Sequence, residues 1–289
     1  MKCIICKTRE IPTFVKQNYQ INRCPECDLH RTQLKSSYQK LIKHYYTKAY
    51  FTGNQNRAGY ANYQEDKKIV QANSQRYLAS IHQFVQPHKL LDIGCATGTF
   101  ISEAVQLGWK CWGIDVSAYA TKIAQQKFGK KVKKGIFSSL SFPRQKFTVV
   151  TLLDVFEHLG NPRHTLRLIH GYLQPKGLII INTGDSSSLL AKLEGSRWHY
   201  FIPPQHVFFY SRHNIMQLLT SEKFTVLKIY HHGKWLSFRY LLHLMRTINH
   251  SRFAALLYRL VHKNFIGKIP LYINLRDNMT IIAQKTNQY

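Results

Sequence analysis

The sequence predicts an α/β protein with a doubly wound, mostly parallel sheet of seven strands and a small cysteine-containing module in front of it. From residue 89 to residue 283, apolar runs of strand length alternate with segments of helical spacing. Most of these runs are apolar on both faces, as expected for parallel strands that helices cover on each side. At 289 residues and 44% hydrophobic residues, the chain can build one full domain and a smaller appendage.

Residues 1–35 are predicted to form a zinc ribbon. Cys3 and Cys6 are followed after seventeen residues by Cys24 and Cys27, so two C-x2-C pairs can meet through a hairpin. Four thiolates close a tetrahedral Zn²⁺ site that is structural, because no coordination position stays open. Disulfides, which a cytoplasmic chain disfavours, and free thiols are the alternatives. The ribbon is interpreted as a brace for the larger domain, with nucleic-acid contact and binding of a carrier-linked substrate left open.

A connecting segment and a helix are predicted for residues 36–86. Residues 36–63 are rich in Tyr, Asn and Gln and are expected to pack on the larger domain near its mouth; residues 64–86 have helical spacing up to Pro87. Residues 87–289 form the larger domain. Its strands are predicted at 89–94, 110–115, 131–137, 147–154, 178–182, 224–230 and 279–283, and its helices at 99–107, 117–128, 162–173 and 213–221.

A helical insertion is predicted at residues 233–270, with helices at 235–248 and 252–262. Arginines recur among Leu, Phe and Tyr at near-heptad spacing: Arg239, Arg246, Arg252 and Arg259. Such a basic amphipathic pair can lie on an anionic membrane surface, or it can pack over the site with its arginines toward a substrate phosphate. The packing role is preferred, and peripheral membrane contact is the alternative.

The stretch that carries chemistry runs from Leu90 to Thr99, where a strand ends in a glycine-containing loop that opens a helix. Such a loop lets the backbone approach a ligand closely. The next strand ends at Asp115, whose carboxylate can accept hydrogen bonds from ribose hydroxyls. The motif is D-x-G-x-A-x-G rather than the G-x-G-x-x-G of dinucleotide sites, and Asp92 can pair with a cationic ligand. A nucleoside cofactor with a positive charge is therefore favoured over a pyrophosphate.

Over residues 88–232 the sequence resembles class I S-adenosylmethionine-dependent methyltransferases, especially those of ubiquinone biosynthesis and of sugars. LLDIGCATG, GID, DVFEHLGNP, LQPKGLIIINT and RWHYFIPPQHVFFYS carry the resemblance in order. It implies a Rossmann-like methyltransferase sheet and S-adenosylmethionine as cofactor. The cofactor would lie on Gly94, Ala96 and Gly98, although many relatives have glycine where this chain has Ala96. The resemblance further places three carboxylates around it: Asp92 near the amino-acid end, Asp115 on the ribose and Asp154 beside the methionine moiety. Acids that cap a strand or a helix are the structural alternative for Asp92 and Asp154.

Histidine is the expected base if the methyl acceptor is a hydroxyl, because its proton must be removed near neutral pH. His206 is the first candidate, since it lies in a loop led by Pro203 and Pro204 on the ligand-binding side of a parallel sheet. His158 is second and His199 third. His206 can equally be structural, locking the proline turn, and His158 can be structural or a cofactor contact.

Three functions remain in competition. The first is methylation of a small molecule, with a nucleotide- or lipid-linked sugar of surface-polysaccharide synthesis as the acceptor that the resemblance suggests. The second is RNA methylation, which the net charge of +27 and the ribbon would suit, although the basic residues are spread along the chain and form no block. The third is a non-catalytic binding protein with a degenerate cofactor site. The chain has neither a long apolar run nor a signal-peptide-like start, so it is expected in the cytoplasm; the sequence leaves its oligomeric state open.

Overall fold

The structure is a computed structural model that describes residues 1–52, 66–143, 145–247, 251–261 and 264–286. Its N-terminal strands are β1 (Ile11–Lys16), β2 (Tyr19–Arg23) and β3 (His30–Thr32). Helices α1 (Tyr38–Tyr45), α2 (Lys48–Thr52) and α3 (Lys67–His82) follow. The predicted helix over residues 64–86 ends earlier than predicted, at His82, and residues 53–65, which include its first two predicted residues, lie outside the described residues.

Strands and helices alternate through the centre of the chain. They are β4 (Lys89–Ile93), α4 (Thr99–Gln106), β5 (Lys110–Asp115), α5 (Ala118–Phe128), β6 (Val132–Lys134), β7 (Phe147–Leu153), α6 (Pro162–Tyr172), β8 (Leu173–Gly184) and α7 (Leu189–Glu194). The side chain of Ser117 caps α5, and Asn161 caps α6 ahead of a proline in its first turn. The strand predicted at residues 131–137 is only three residues long, because Gly135, at a φ of 144°, turns the chain out of the sheet.

The C-terminal part contains β9 (Phe208–Phe209), α8 (Arg212–Ser221), β10 (Phe224–Tyr230), β11 (Lys234–Ser237), α9 (Phe238–Thr247), α10 (Arg252–Val261), β12 (Pro270–Ile273) and β13 (Asn278–Lys285). The insertion is therefore not purely helical as predicted: its first residues form β11, which pairs antiparallel with β12 in a separate two-stranded sheet. Periodicity alone could not reveal this pairing, because the two strands are more than thirty residues apart in sequence.

Seven strands form the central sheet in the order β10-β13-β8-β7-β4-β5-β6. The five strands β8, β7, β4, β5 and β6 are parallel, and β13 pairs antiparallel with both β8 and β10. This arrangement confirms the predicted doubly wound, mostly parallel α/β sheet with Rossmann-like connections. The carboxyl ends of the parallel strands gather at one edge, which is where such sheets bind ligands.

Alternate residues of the central strands enter two separate cores, one on each face of the sheet. Leu91 and Val150 pack with side chains of α6 and α8, while Leu90 and Val149 pack with side chains of α3 and α4. The cysteine-containing end of the chain joins the first of these cores. No helix in the described ranges is long and apolar enough to cross a membrane.

Candidate active site

The loop between β4 and α4 is shaped by three residues with positive φ. Gly94 has a φ of 80°, Ala96 of 46° and Gly98 of 79°. A Cβ added to Gly94 would lie 2.3 Å from Cγ2 of Val155, so the loop passes directly against the end of β7. Ala96 holds a left-handed conformation that disfavours residues with a side chain, yet its methyl group is accommodated. The result is a tight, concave turn of small residues at the edge of the sheet.

Asp115 ties this loop to the neighbouring strand. One carboxylate oxygen accepts the backbone N–H of Ala96 at 2.9 Å, and the other accepts the N–H of Ser117 at 2.8 Å. Burial raises the pKa of Asp115, and these backbone N–H groups work in the opposite direction. Each carboxylate oxygen can accept more than one hydrogen bond, so both keep capacity for a further donor such as a ribose hydroxyl.

Asp92 lies inside β4, beneath the loop, and is 4% exposed. Its carboxylate accepts a hydrogen bond from Thr151 Oγ1 at 2.7 Å. Burial raises the pKa of Asp92 to about 7, which the hydrogen bond from Thr151 partly offsets. The carboxyl group therefore stands near its titration point at neutral pH.

Asp154 follows β7 at a φ of 56° and forms an ion pair that the sequence did not predict. Lys234 Nζ, on β11, donates to both carboxylate oxygens, at 2.7 and 2.9 Å. Burial lowers the pKa of Lys234, but the charge and hydrogen bonds of Asp154 together with Tyr77 and Glu157 outweigh burial, and the net pKa is raised. Lys234 is consequently a fixed cation in the site. No motif marks it, because it belongs to the insertion rather than to the repeating strands and helices.

Three adjoining cavities meet at Asp154, which lines all of them. The first lies between the glycine loop, Asp115 and the aromatic residues of α1 and α2, including Tyr50. The second extends away from the sheet toward His206 and the insertion. The third runs between the glycine loop, Asp92 and α3. The first and third cavities therefore form one elongated space along the glycine loop. The second cavity opens from the middle of that space as a side chamber.

The side chamber, defined here as the acceptor chamber, is lined by all three predicted base candidates. The rings of His158 and His206 are 4.7 Å apart. His158 Nδ1 contacts the carbonyl of Gln205 at 2.8 Å, and His206 Nδ1 contacts the carbonyl of Tyr200 at 2.7 Å. Because a carbonyl oxygen only accepts, each Nδ1 carries a proton that it donates to its carbonyl, and Nε2 is the ring nitrogen left for other contacts. Burial lowers the pKa of His206 well below its ordinary value.

Glu157 completes this cluster. Its Oε1 accepts the hydroxyl of Tyr200 at 2.7 Å, whereas the buried Oε2 has no hydrogen-bond partner among the residues that the structure describes. Ligand atoms of Glu157, His158 and His206 lie within 4.8 Å of one another, a spacing that a divalent cation can bridge. His199, the third base candidate, also lines the chamber but is paired with Asp277 at 3.3 Å.

The four N-terminal cysteines form a second cluster, separate from the histidine cluster, and they pack on the same domain. Their sulfur atoms lie within 4.8 Å of one another, with 3.6 Å between Cys3 and Cys27 and 3.2 Å between Cys6 and Cys24. All four are free thiols. The predicted ligand set is thus brought together in space.

Within the insertion, the structure corrects the interpretation of one arginine. Arg239 does not face a substrate or a membrane, because it is 2% exposed and pairs with Asp66 at 2.7 Å. Helix α10, by contrast, exposes large apolar side chains, with Phe253 70% and Leu260 61% exposed. Peripheral membrane contact stays a prediction for this helix.

Comparison with known proteins agrees with this geometry. The sequence profile of the methyltransferase domain family matches residues 62–229. Among solved structures, an S-adenosylmethionine-dependent methyltransferase from Archaeoglobus fulgidus is 22% identical with a TM-score of 0.51, and covers 76% of this chain and 94% of its own. Magnesium protoporphyrin IX methyltransferase from Synechocystis PCC 6803, solved with bound SAH, is 14% identical with a TM-score of 0.53, and covers 86% and 100%. At these identities the likeness shows the fold.

Curated relatives include two ubiquinone biosynthesis O-methyltransferases. The one from Glaesserella parasuis is 30% identical over 105 residues, which are 33% of this chain and 44% of that protein. The one from Ruegeria pomeroyi is 29% identical over 139 residues, which are 42% and 56%. The chain thus spans about half the length of these relatives. Because the family profile covers more than half of the 289 residues, this chain belongs to the methyltransferase domain family.

Proposed function

We propose that the protein is an S-adenosylmethionine-dependent methyltransferase acting on a small molecule. The observation that carries the proposal is the contact between Asp115 and the backbone N–H of Ala96, which joins the glycine loop and the end of the next strand into one cofactor cradle. Family membership and the SAH-bound structural relative support the choice of cofactor. The curated relatives support a small-molecule acceptor but give no support to a sugar, which stays a prediction.

The residues present fit this cofactor. A Cβ at Gly94 would fill the closest part of the cradle, so the small residues keep the turn open to a ligand. Asp115 retains hydrogen-bonding capacity for ribose hydroxyls. Asp92 and Asp154, at the other end of the loop, would face the positively charged amino-acid end. In this arrangement the methyl-bearing sulfur would lie near Asp154, where the acceptor chamber opens.

Bound S-adenosylmethionine would supply an electrophilic methyl group on a sulfonium. The protein has to align an acceptor with it and take up the acceptor's proton. His206 Nε2 is the proposed proton acceptor, because Nδ1 is held by the Tyr200 carbonyl and Nε2 faces the chamber's cluster. In this role His206 would take up the acceptor's proton at Nε2 while bound S-adenosylmethionine supplied the methyl group.

Two variants separate binding from transfer. Asp115→Ala should weaken binding of S-adenosylhomocysteine at least about tenfold, because it removes hydrogen bonds to charged acceptors worth about 1.5–3 kcal/mol. His206→Asn keeps a donor for the Tyr200 carbonyl, so it should bind the same compound normally but lose transfer of labelled methyl groups to extracted metabolites. Calorimetry and isotope counting give the two readouts. Absence of any binding heat for wild-type protein would overturn the proposed activity.

A chelator distinguishes two uses of the histidine cluster. If His206 acts in proton transfer, EDTA should leave the rate of wild-type enzyme unchanged. A rate that EDTA abolishes and Mg²⁺ or Mn²⁺ restores would instead assign Glu157, His158 and His206 to a bound cation.

For the four cysteines we propose a structural Zn²⁺ site. Four sulfurs at this spacing match a closed tetrahedral set, and the short hairpin between them has little core of its own. Elemental analysis of protein purified without chelators should find one zinc per chain, and Cys24→Ser should lose it. Zinc-free protein with two disulfides would refute the assignment. The RNA alternative and the cytoplasmic location remain predictions.

A further inference from the structure

The N-terminal ribbon (residues 1–35) shares a sheet with the loop that carries His206. Strand β3 pairs antiparallel with β9, with His30 opposite Phe209 and Arg31 opposite Phe208. Strand β9 begins two residues after His206, so the four-stranded sheet β1-β2-β3-β9 continues directly into the acceptor chamber. This pairing joins parts of the chain that are about 180 residues apart.

Thr32, the last residue of β3, makes the contact nearest to the proposed base. Its hydroxyl donates to the backbone carbonyl of His206 at 2.7 Å, and its N–H donates to the carbonyl of Val207 at 2.9 Å. The His206 N–H in turn donates to the carbonyl of Ile202 at 3.0 Å. The peptide on each side of His206 is therefore fixed. On the carboxyl side the ribbon holds the His206 carbonyl, and the Val207 N–H donates to the carbonyl of Glu157 at 2.8 Å. Thr32 is 1% exposed, so water does not compete for this hydrogen bond.

The cysteine end of the ribbon is anchored to the same domain by other contacts. Asn214, in the first turn of α8, donates to the carbonyl of Cys27 at 3.3 Å. Arg163, in α6, donates to the carbonyls of Ile4 and Ile5. These contacts attach the ribbon to helices α6 and α8. Thr32 in turn connects the ribbon to the loop that contains His206.

We infer that Thr32 is a positioning residue: through its hydroxyl, the ribbon holds His206 in the geometry required for methyl transfer. This inference rests on the proposed function. Without the hydroxyl, the buried His206 carbonyl would lose this hydrogen bond, and its peptide, then held only through the Val207 N–H, would shift. The imidazole moves with its own backbone, and displacements of about 1 Å at a reacting group can cost about a hundredfold in rate. We therefore expect the hydrogen bond from the ribbon to affect kcat and not the affinity for the cofactor.

The test compares Thr32→Val with Thr32→Ser. Valine keeps the shape of threonine without the hydroxyl, whereas serine keeps the hydroxyl without the methyl group. We expect kcat to fall roughly tenfold or more in the valine variant and to stay near wild type in the serine variant. Affinity for S-adenosylhomocysteine and zinc content should be unchanged in both. A double variant adds the decisive control: in the His206→Asn background, Thr32→Val should reduce the residual rate no further.

A second readout does not depend on activity. The buried Nδ1–H of His206, bonded to the Tyr200 carbonyl, should give a sharp downfield proton resonance in wild type and in Thr32→Ser. It should broaden by exchange in Thr32→Val. Unchanged kcat and an unchanged resonance in the valine variant would overturn the inference and leave the methyltransferase assignment intact. Equal losses in the serine and valine variants would also overturn it, because the hydroxyl would then be irrelevant. Failure of wild-type protein to bind cofactor would instead refute the proposed function itself.

Discussion

Asp92 gives a prediction that tests the buried carboxylates of the site without any substrate. Replacing it with asparagine removes a group whose pKa is raised from 3.8 to about 7 by burial, while the amide oxygen can still accept from Thr151. We expect the Asp92→Asn variant to lose a large part of the pH dependence of the free energy of unfolding between pH 5 and pH 8.

The sign follows from proton binding. Because the folded-state pKa of Asp92 lies above its unfolded-state value, the folded protein holds a proton that the unfolded chain has released. This contribution to stability is fully present below about pH 4 and is lost as the pH rises through about 7. At about 1.36 kcal/mol per pKa unit, the whole shift corresponds to about 4 kcal/mol, of which about 2.5 kcal/mol falls between pH 5 and pH 8.

Urea unfolding followed by tryptophan fluorescence at pH 5, 6, 7 and 8 measures the effect. Other groups titrate in both proteins, so the quantity of interest is the difference between the two slopes, which should amount to about 2.5 kcal/mol over the range. Thr151→Val provides a matched variant: it removes the hydrogen bond that lowers the pKa of Asp92 and should extend the sloping range to higher pH. Parallel curves for wild type and Asp92→Asn would show that the carboxyl group is already charged at pH 5.

Two further changes test the cradle and the insertion. Gly94→Ala should destabilise the protein by about 1–3 kcal/mol, because its Cβ would strike Val155 in a left-handed backbone; adding Val155→Ala should recover the steric part, as urea unfolding would show. Arg239→Ala should cost about 3–5 kcal/mol by leaving Asp66 unpaired in the interior, whereas Arg252→Ala, on the surface, should change stability by less than about 0.5 kcal/mol. Similar midpoints for the two arginine variants would contradict the buried ion pair.

The sequence predicted the parts of the fold that local patterns specify. Each central strand is a short apolar run between turn residues, so Leu90–Ile93 and Ile179–Ile181 could be recognised without knowledge of their neighbours. The glycine loop and Asp115 could be placed together because parallel strands end at a common edge. The cysteine pairs could be joined because metal-ligand spacing is itself a local pattern.

What the sequence did not predict depends on contacts between distant residues. Lys234 pairs with Asp154 across 80 positions, and β3 pairs with β9 across about 180. Neither contact can be recognised from a periodic pattern in the sequence, because a single lysine and a three-residue strand are too short to form one. The spacing of Arg239 matches that of the other arginines and predicts the same role for it, toward a substrate phosphate or a membrane surface; its buried partner Asp66 could not be inferred from the helix alone.

The family-matched range covers the cofactor site more completely than the acceptor chamber. The glycine loop, Asp92, Asp115 and Asp154 all lie within the family-matched range of residues 62–229. Of the nineteen described residues that line the acceptor chamber, ten lie beyond residue 229, either in the insertion or in the segments that flank it. The ribbon that fixes His206 precedes the matched range as well. Relatives that share only the matched range therefore inform the cofactor site and the histidine cluster, but not the part of the acceptor chamber that Lys234 and Arg276 line.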